Sequence, residues 1–119
     1  MSRLEIAATS DTPSITLDKE QGIFEISGRS LPEDCVDFCE RVFQWLEEYK
    51  MKPNDSTHFV FKLDYFNTAS SKIILDLLNT LKSIPNVKVQ WIYTEDDEDI
   101  LEAGLEFSEQ VMIPFEFRK

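Results

Sequence analysis

The period of the apolar residues changes abruptly in the middle of the chain, at segment 64–72. Before this segment, apolar residues occupy alternate positions from Thr57 to Phe66, which predicts a β-strand. After it, apolar residues recur at steps of three and four as far as Ile84, which predicts an amphipathic helix that Pro85 stops. A strand that leads directly into a helix is half of a strand–helix–strand unit, so we expect an α/β fold.

Short polar side chains fill the junction between these two patterns, at Asn67, Thr68, Ser70 and Ser71. Such side chains accept hydrogen bonds from the unpaired N–H groups of a first helical turn. A hydroxyl at this point lies at the positive end of the helix dipole, where an attached phosphate is partly accommodated. The junction is therefore either a helix cap alone or a cap that also carries a modification site.

The other segments repeat the alternation of strand and helix patterns. The predicted strands are 14–18, 23–27, 57–66, 87–94 and 111–117, and helices start near 32, 68 and 95. The order is ββαβαβαβ, in which the strand–helix–strand units favour parallel pairing. We expect a single mixed sheet of about five strands with helices mainly on one face, and Pro114 inside the last strand indicates an edge position. Residues 1–12 are expected to be a flexible arm and 13–119 one domain.

The composition restricts the classes of partner. The chain has 119 residues, of which 42% are hydrophobic, and a net charge of -11. Nucleic acid and anionic membrane surfaces repel such a charge, so we expect neither as a partner. No apolar run approaches the roughly 20 residues that cross a bilayer, and the first residues do not resemble a signal peptide. A cytoplasmic location is the expectation.

Residues that could carry chemistry are few. We find no glycine-rich phosphate loop and no nucleophile–base set, and His58 is expected to be an exposed strand residue. Cys35 and Cys39 lie on the apolar side of the first predicted helix and are expected to be reduced core residues. The acidic run 95–99 lacks the spacing of a calcium loop and fits the first turn of a helix. We therefore expect no catalytic residue, cofactor or metal.

The second helix has a distinctive outer face. With about 100° of rotation per residue, Thr68 and Leu75 lie opposite the middle of its buried stripe. We predict a partner-binding surface on this face, formed by Asn67, Thr68, Ser71, Lys72, Leu75 and Asn79.

Phosphorylation of this face is expected to block a partner. A phosphate on Thr68 adds roughly −1.5 to −2 charges. Lys72 is the nearest cation in the stretch, which contains no arginine, and Asp64 lies close by in sequence. A partner on this face would therefore meet repulsion and a desolvation cost. Whether Ser70 or Ser71 is also modified is left open by the sequence.

The junction also resembles a known family. The segment Tyr65-Phe66-Asn67-Thr68-Ala69-Ser70-Ser71-Lys72, followed by Ile-Leu-Asp-Leu-Leu at 74–78, is similar to the signature of the SiaC family of bacterial regulatory phosphoproteins. Other matching pieces are Thr12-Pro13-Ser14-Ile15, Gly28-Arg29-Ser30-Leu31-Pro32-Glu33 and Ile113-Pro114-Phe115. The resemblance extends over nearly the whole chain.

The resemblance implies a small cytoplasmic switch without catalytic activity and with a STAS-like fold. In STAS domains a hydroxyl after the third strand, at the start of the second helix, is phosphorylated, and Thr68 occupies that place. The family implies that a SiaB-type kinase phosphorylates Thr68 and that a SiaA-type phosphatase of the PP2C class reverses this. It also implies that the unmodified protein binds and activates a SiaD-type diguanylate cyclase, which connects it to cyclic di-GMP and biofilm formation.

Two other functions remain open at this point. One is a small-ligand-binding module that uses the open sheet face or a pocket above the strand ends. The other is a STAS-type antagonist of an anti-sigma factor, although an ordinary STAS switch has a glycine directly after the phosphorylated residue and this chain has Ala69. An enzyme is disfavoured by the lack of a nucleophile–base pair.

Overall fold

The structure, a computed structural model, describes residues 3–8, 13–30, 36–66, 68–94 and 97–119, with the main chain alone at 29, 30, 36–39, 64–66 and 68–70. Its elements are β1 (Leu4–Ile6), β2 (Ser14–Asp18), β3 (Ile23–Ser30), α1 (Val36–Met51), β4 (Thr57–Phe66), α2 (Thr68–Leu81), β5 (Val87–Ile92), α3 (Glu98–Val111) and β6 (Phe115–Arg118).

The strands form one mixed sheet in which spatial order follows chain order, β1-β2-β3-β4-β5-β6. The first three strands pair antiparallel and the last four pair parallel. Each helix therefore connects two neighbouring parallel strands, and successive crossovers step in the same direction. Crossovers of one hand that step in one direction leave their helices on one face of the sheet.

Burial along the strands agrees with this one-sided cover. In β4, Phe59 and Phe61 on the helix face are buried, whereas His58 and Lys62 on the other face are exposed. The mixed sheet with helices on one face is as the sequence predicted. The number and order of elements differ, because the structure has six strands in the order βββαβαβαβ.

The additional strand is β1, which lies inside the segment that the sequence predicted to be a flexible arm. Leu4 pairs with Leu17 and Ile6 with Ile15, and Leu4 is buried. Three residues are too few to show an alternating pattern, and the strand forms because β2 offers a partner edge. The arm prediction is wrong for residues 4–6, while 1, 2 and 9–12 lie outside the described residues.

The end of the chain also differs from the prediction. Helix α3 continues to Val111, and β6 starts only at Phe115, so Pro114 precedes the last strand instead of lying inside it. The carbonyl of Pro114 accepts a hydrogen bond from the N–H of Val89 at 2.9 Å, which starts the β5–β6 ladder. Strand β6 nevertheless lies at an edge of the sheet, as predicted.

A close contact between α3 and the sheet decides which α3 residues are buried. The indole of Trp91 donates from Nε1 to the carbonyl of Ile100 at 2.9 Å and contacts the ring of Phe107. Gly104 is buried against this indole, whereas Leu105, the next residue of α3, is 45% exposed. The side of α3 that meets this indole is therefore its buried side, which includes Ile100, Gly104 and Phe107.

A buried hydrogen-bond cluster joins α1 to the start of β4. The hydroxyls of Tyr49 and Thr57 lie 2.7 Å apart, and the backbone N–H of Asn54 donates to Tyr49 Oη at 3.1 Å. The amide side chain of Asn54 in turn donates to the carbonyl of Lys19 at 2.9 Å. This cluster connects the end of α1 to the β2–β3 turn, at the end of the sheet remote from Thr68.

Replacement of this tyrosine hydroxyl is expected to destabilise the fold. Thr57 is 1% exposed, so the substitution Tyr49→Phe leaves the buried hydroxyl of Thr57 without the tyrosine hydroxyl that it contacts. We expect the free energy of unfolding to fall by about 1–3 kcal/mol. Urea unfolding measures this, with Tyr93→Phe at a half-buried tyrosine as the control, expected within about 0.5 kcal/mol of the original chain. Equal effects of the two variants would contradict a role for the cluster.

Candidate functional site

The predicted modification site lies where two central strands extend past their neighbours. Among the described residues, β3 pairs with β2 only as far as Ser27, and β4 pairs with β5 only as far as Phe61. The β3–β4 pairing continues to Ser30 and Phe66. In the described part of the chain, β3 and β4 therefore form a two-stranded extension at the carboxyl ends of the parallel strands. This end of an α/β sheet is where ligand and partner sites commonly form.

A bulge reshapes this extension. Gly28 has φ +107, a backbone conformation that residues other than glycine rarely adopt. The β3–β4 register shifts between Gly28 and Arg29. After the shift, the main chain of Arg29 pairs with Tyr65, three residues before Thr68. The sequence showed no arginine in the stretch around Thr68, and Arg29 became a neighbour only through this long-range pairing. The sequence signal that could have drawn attention to Arg29 was the Gly28-Arg29-Ser30 segment, one of the pieces that resemble the family.

Helix α2 begins at Thr68, and Asn67, one of the polar residues predicted at the helix start, lies outside the described residues. The first turn of α2 contains no acidic residue. By contrast, α3 has Glu98 and Asp99 in its first turn, and the carboxylate of Asp97 accepts from the N–H of Ile100 at 3.1 Å. The acidic start predicted for the third helix is thus confirmed. The partial positive charge at the start of α2 has no such acidic complement in its own first turn.

The outer face of α2 is narrower than the sequence predicted. Lys72 and Asn79 are exposed and Ser71 is half-buried. Leu75, predicted to share the exposed face, is half-buried and packs against the core. Helix α2 contacts both α1 and α3, so the two sides of α2 are covered. In addition, a leucine side chain in a helix points back towards the preceding turn, which contributes to the partial burial of Leu75. The side chains of Thr68 and Ser70 lie outside the described residues.

Between α2 and the sheet is a small apolar cavity of about 30 Å³. It lies above the strand ends, and its lining includes Ile26, Leu63, Phe43 and Ile73. Sites for small molecules usually enclose roughly 300–1,000 Å³ and add a few convergent polar groups. This cavity satisfies neither condition.

The open face of the sheet is polar and internally paired. Lys88 Nζ lies 3.0 Å from a carboxylate oxygen of Glu116, and Arg118 contacts the same carboxylate through Nε and an Nη. The hydrogen bonds from Lys88 and Arg118 hold the pKa of Glu116 below its usual range. Within the described ranges, no three His, Cys, Asp or Glu residues cluster as metal ligands. Cys35 lies outside the described residues, as does the side chain of Cys39.

None of the helices in the part of the chain that the structure describes is long and apolar enough to cross a membrane.

Comparisons with known proteins relate the whole chain to one family. Residues 6–119 match the family described as SiaC family regulatory phosphoprotein. A protein of Pseudomonas aeruginosa (strain UCBPP-PA14) with no characterised function is 30% identical over 119 residues, covering 97% of this chain and 94% of the relative.

Solved structures agree. The crystal structure of apo-SiaC from Pseudomonas aeruginosa matches with a TM-score of 0.89 at 28% identity and covers 100% of both chains. The crystal structure of the diguanylate cyclase SiaD in complex with its activator SiaC, from the same organism, matches with a TM-score of 0.88 at 28% identity, covering 97% of this chain and 98% of that chain.

Proposed function

This chain belongs to the SiaC family of regulatory phosphoproteins, and we propose that it is a partner-switching regulator of a diguanylate cyclase. In this proposal the unmodified protein binds and activates the cyclase in the cytoplasm. A SiaB-type kinase phosphorylates Thr68 and thereby blocks the interaction, and a SiaA-type PP2C phosphatase restores it. The role of the family is regulatory, so the chemistry of nucleotide cyclisation belongs to the partner.

The observation that carries the proposal is the match to the SiaD–SiaC complex, in which SiaC is the activator of the cyclase. The match covers 97% of this chain, so it includes the sheet, the three helices and the β4–α2 junction. A chain with the same fold as that SiaC has the same helices and strands with which it can contact a cyclase.

The position of Thr68 supports a phosphate switch. Thr68 begins α2, whose first turn contains no carboxylate, so the helix dipole favours a phosphate there. Lys72 is exposed and lies four residues further, on the same helical face. A phosphate at Thr68 is therefore tolerated by the fold, and its main effect falls on whatever docks at this face.

We propose that the effector docks on the outer face of α2, at Asn67, Thr68, Ser71, Lys72, Leu75 and Asn79. Exposed Lys72 and Asn79 lie two turns apart on this face, whereas half-buried Leu75 offers only part of its side chain. The cavity beneath α2 does not favour the small-ligand alternative, because it holds about 30 Å³ and is lined by apolar residues.

A charge reversal on this face tests the proposal. Lys72→Glu is expected to weaken activation of a SiaD-type cyclase by about tenfold, because it replaces an exposed cation on the proposed docking face by an anion. The measurement is cyclic di-GMP production by the purified cyclase against the concentration of the regulator.

Lys52→Glu is the matched control, since Lys52 is exposed at the opposite end of the sheet. The docking face would be misplaced if both variants activated equally well. No activation by the original chain would remove the cyclase from the proposal, and an anti-sigma factor would then be the partner to test.

A further inference from the structure

Within the part of the chain that the structure describes, the edge strand β6 has unpaired backbone groups directed away from the sheet. The carbonyls of Pro114 and Arg118 accept from β5, at Val89 and Tyr93. In a parallel ladder the bonding residues of one strand alternate, so the N–H and C=O groups of Phe115 and Phe117 point outwards. No strand of the described part of the chain pairs with this outer side.

The side chains of β6 are self-complementary in one antiparallel register. Glu116 and Arg118 lie on the open face of the sheet, either side of Phe117. When two copies of β6 run antiparallel about a two-fold axis through Phe117, Glu116 of each copy lies opposite Arg118 of the other. Opposite charges at directly opposed positions stabilise an antiparallel pair. Arg118, which contacts Glu116 of its own chain, then also faces Glu116 of the second copy.

We propose that a second copy of this chain pairs with β6 in this register and continues the sheet across a two-fold axis. Phe117 then exchanges both of its outward hydrogen bonds with Phe117 of the second copy. This proposal goes beyond the regulation of a cyclase and does not depend on phosphorylation of Thr68.

Aromatic packing favours the same occupant. On the helix face, the rings of Trp91, Phe115 and Phe117 form a continuous row, with centroids 6.2 Å and 5.8 Å apart. Trp91 is buried, but Phe115 and Phe117 at the end of the row are only half-buried. A second copy extends this row with its own Phe117 and covers the exposed parts of both rings.

The charges also exclude the neighbouring register. With the axis through Glu116, the outward groups of Phe115 and Phe117 still pair, but the two Glu116 carboxylates face each other. Like charges directly opposite destabilise a strand pair. The same charged side chains discourage pairing with unrelated apolar strands, which is the usual protection of a sheet edge.

The test is charge reversal with rescue by mixing. Sedimentation velocity of the original chain over a concentration series is expected to show reversible dimers. Arg118→Glu opposes two carboxylates at each cross-strand pair, and Glu116→Arg opposes two guanidinium groups. We expect each variant alone to have a dissociation constant raised by about tenfold or more. An equimolar mixture restores Glu–Arg pairs at both positions and is expected to associate as the original chain does.

Three results would each overturn the proposal: a monomer up to about 1 mM chain, dimers that neither reversal weakens, or a mixture no tighter than its components. Far-UV circular dichroism and thermal unfolding check that both variants fold. Glu116→Arg also removes the contact with Lys88, so Arg118→Glu, which keeps that contact, decides the outcome if Glu116→Arg does not fold. Dimers that persist in Arg118→Glu would then exclude this register.

Discussion

A Thr68→Asp variant is expected to lose most of its ability to bind and activate the cyclase while remaining as stable as the original chain. The new carboxylate lies at the start of α2, where the dipole favours an anion by about 0.3–1 kcal/mol. The same charge on the docking face meets repulsion and desolvation in the complex, so we expect at least about tenfold weaker binding. Titration calorimetry and thermal unfolding of the same sample separate the two effects.

Ser56→Asp is the matched control, because Ser56 is exposed at the opposite end of the sheet and receives the same charge. It is expected to bind normally. Thr68→Ala is expected to bind as the unmodified chain does and to be insensitive to the kinase, at a stability cost below about 1 kcal/mol because the helix begins at Thr68 and the cap position precedes it. Normal binding by both Thr68→Asp and the phosphorylated protein would refute the switch.

A Gly104→Ala variant is expected to destabilise the fold by about 1–3 kcal/mol, although alanine is the better helix former by about 1 kcal/mol. A Cβ at this position would lie 2.5 Å from Trp91 Nε1 and 2.6 Å from Cδ1. The indole cannot withdraw without loss of its 2.9 Å hydrogen bond to the carbonyl of Ile100. Chemical denaturation measures the difference in the free energy of unfolding.

A double-mutant cycle with Trp91→Phe provides the control for this prediction. The smaller ring removes the clash, so Gly104→Ala is expected to cost less in the Trp91→Phe background, with a coupling energy of about 1 kcal/mol or more. Additive effects would show that the contact between Gly104 and the indole is not the cause.

The sequence predicted the local structure of this protein well where a repeating pattern exists. The alternation through Thr57–Phe66 and the three- and four-residue steps after Thr68 correctly predicted β4, α2 and the change between them. The acidic run at 95–99 correctly indicated the start of α3. Of this run, the structure describes Asp97, Glu98 and Asp99. Periodicity is sufficient here because each element buries one face, whatever its partners are.

The same patterns located the Thr68 junction but could not describe its surroundings. The motif from Tyr65 to Lys72 is contiguous, so it is readable as a sequence. Arg29 is not contiguous with it, and only the register shift at Gly28 brings their main chains together. Leu75 appeared fully exposed on an isolated helix, but in the fold it is half-buried and packs against the core.

Period and composition were thus enough to predict an α/β chain with one covered sheet face and a polar helix start at Thr68, and the motif from Tyr65 to Lys72 resembled that of a regulatory family. These properties depend on neighbours in sequence. Only the tertiary structure decided the pairing of β1, the bulge at Gly28 and the close fit of Gly104 against Trp91. Each of these depends on contacts between residues distant in sequence, whose hydrogen bonds and packing leave no local period.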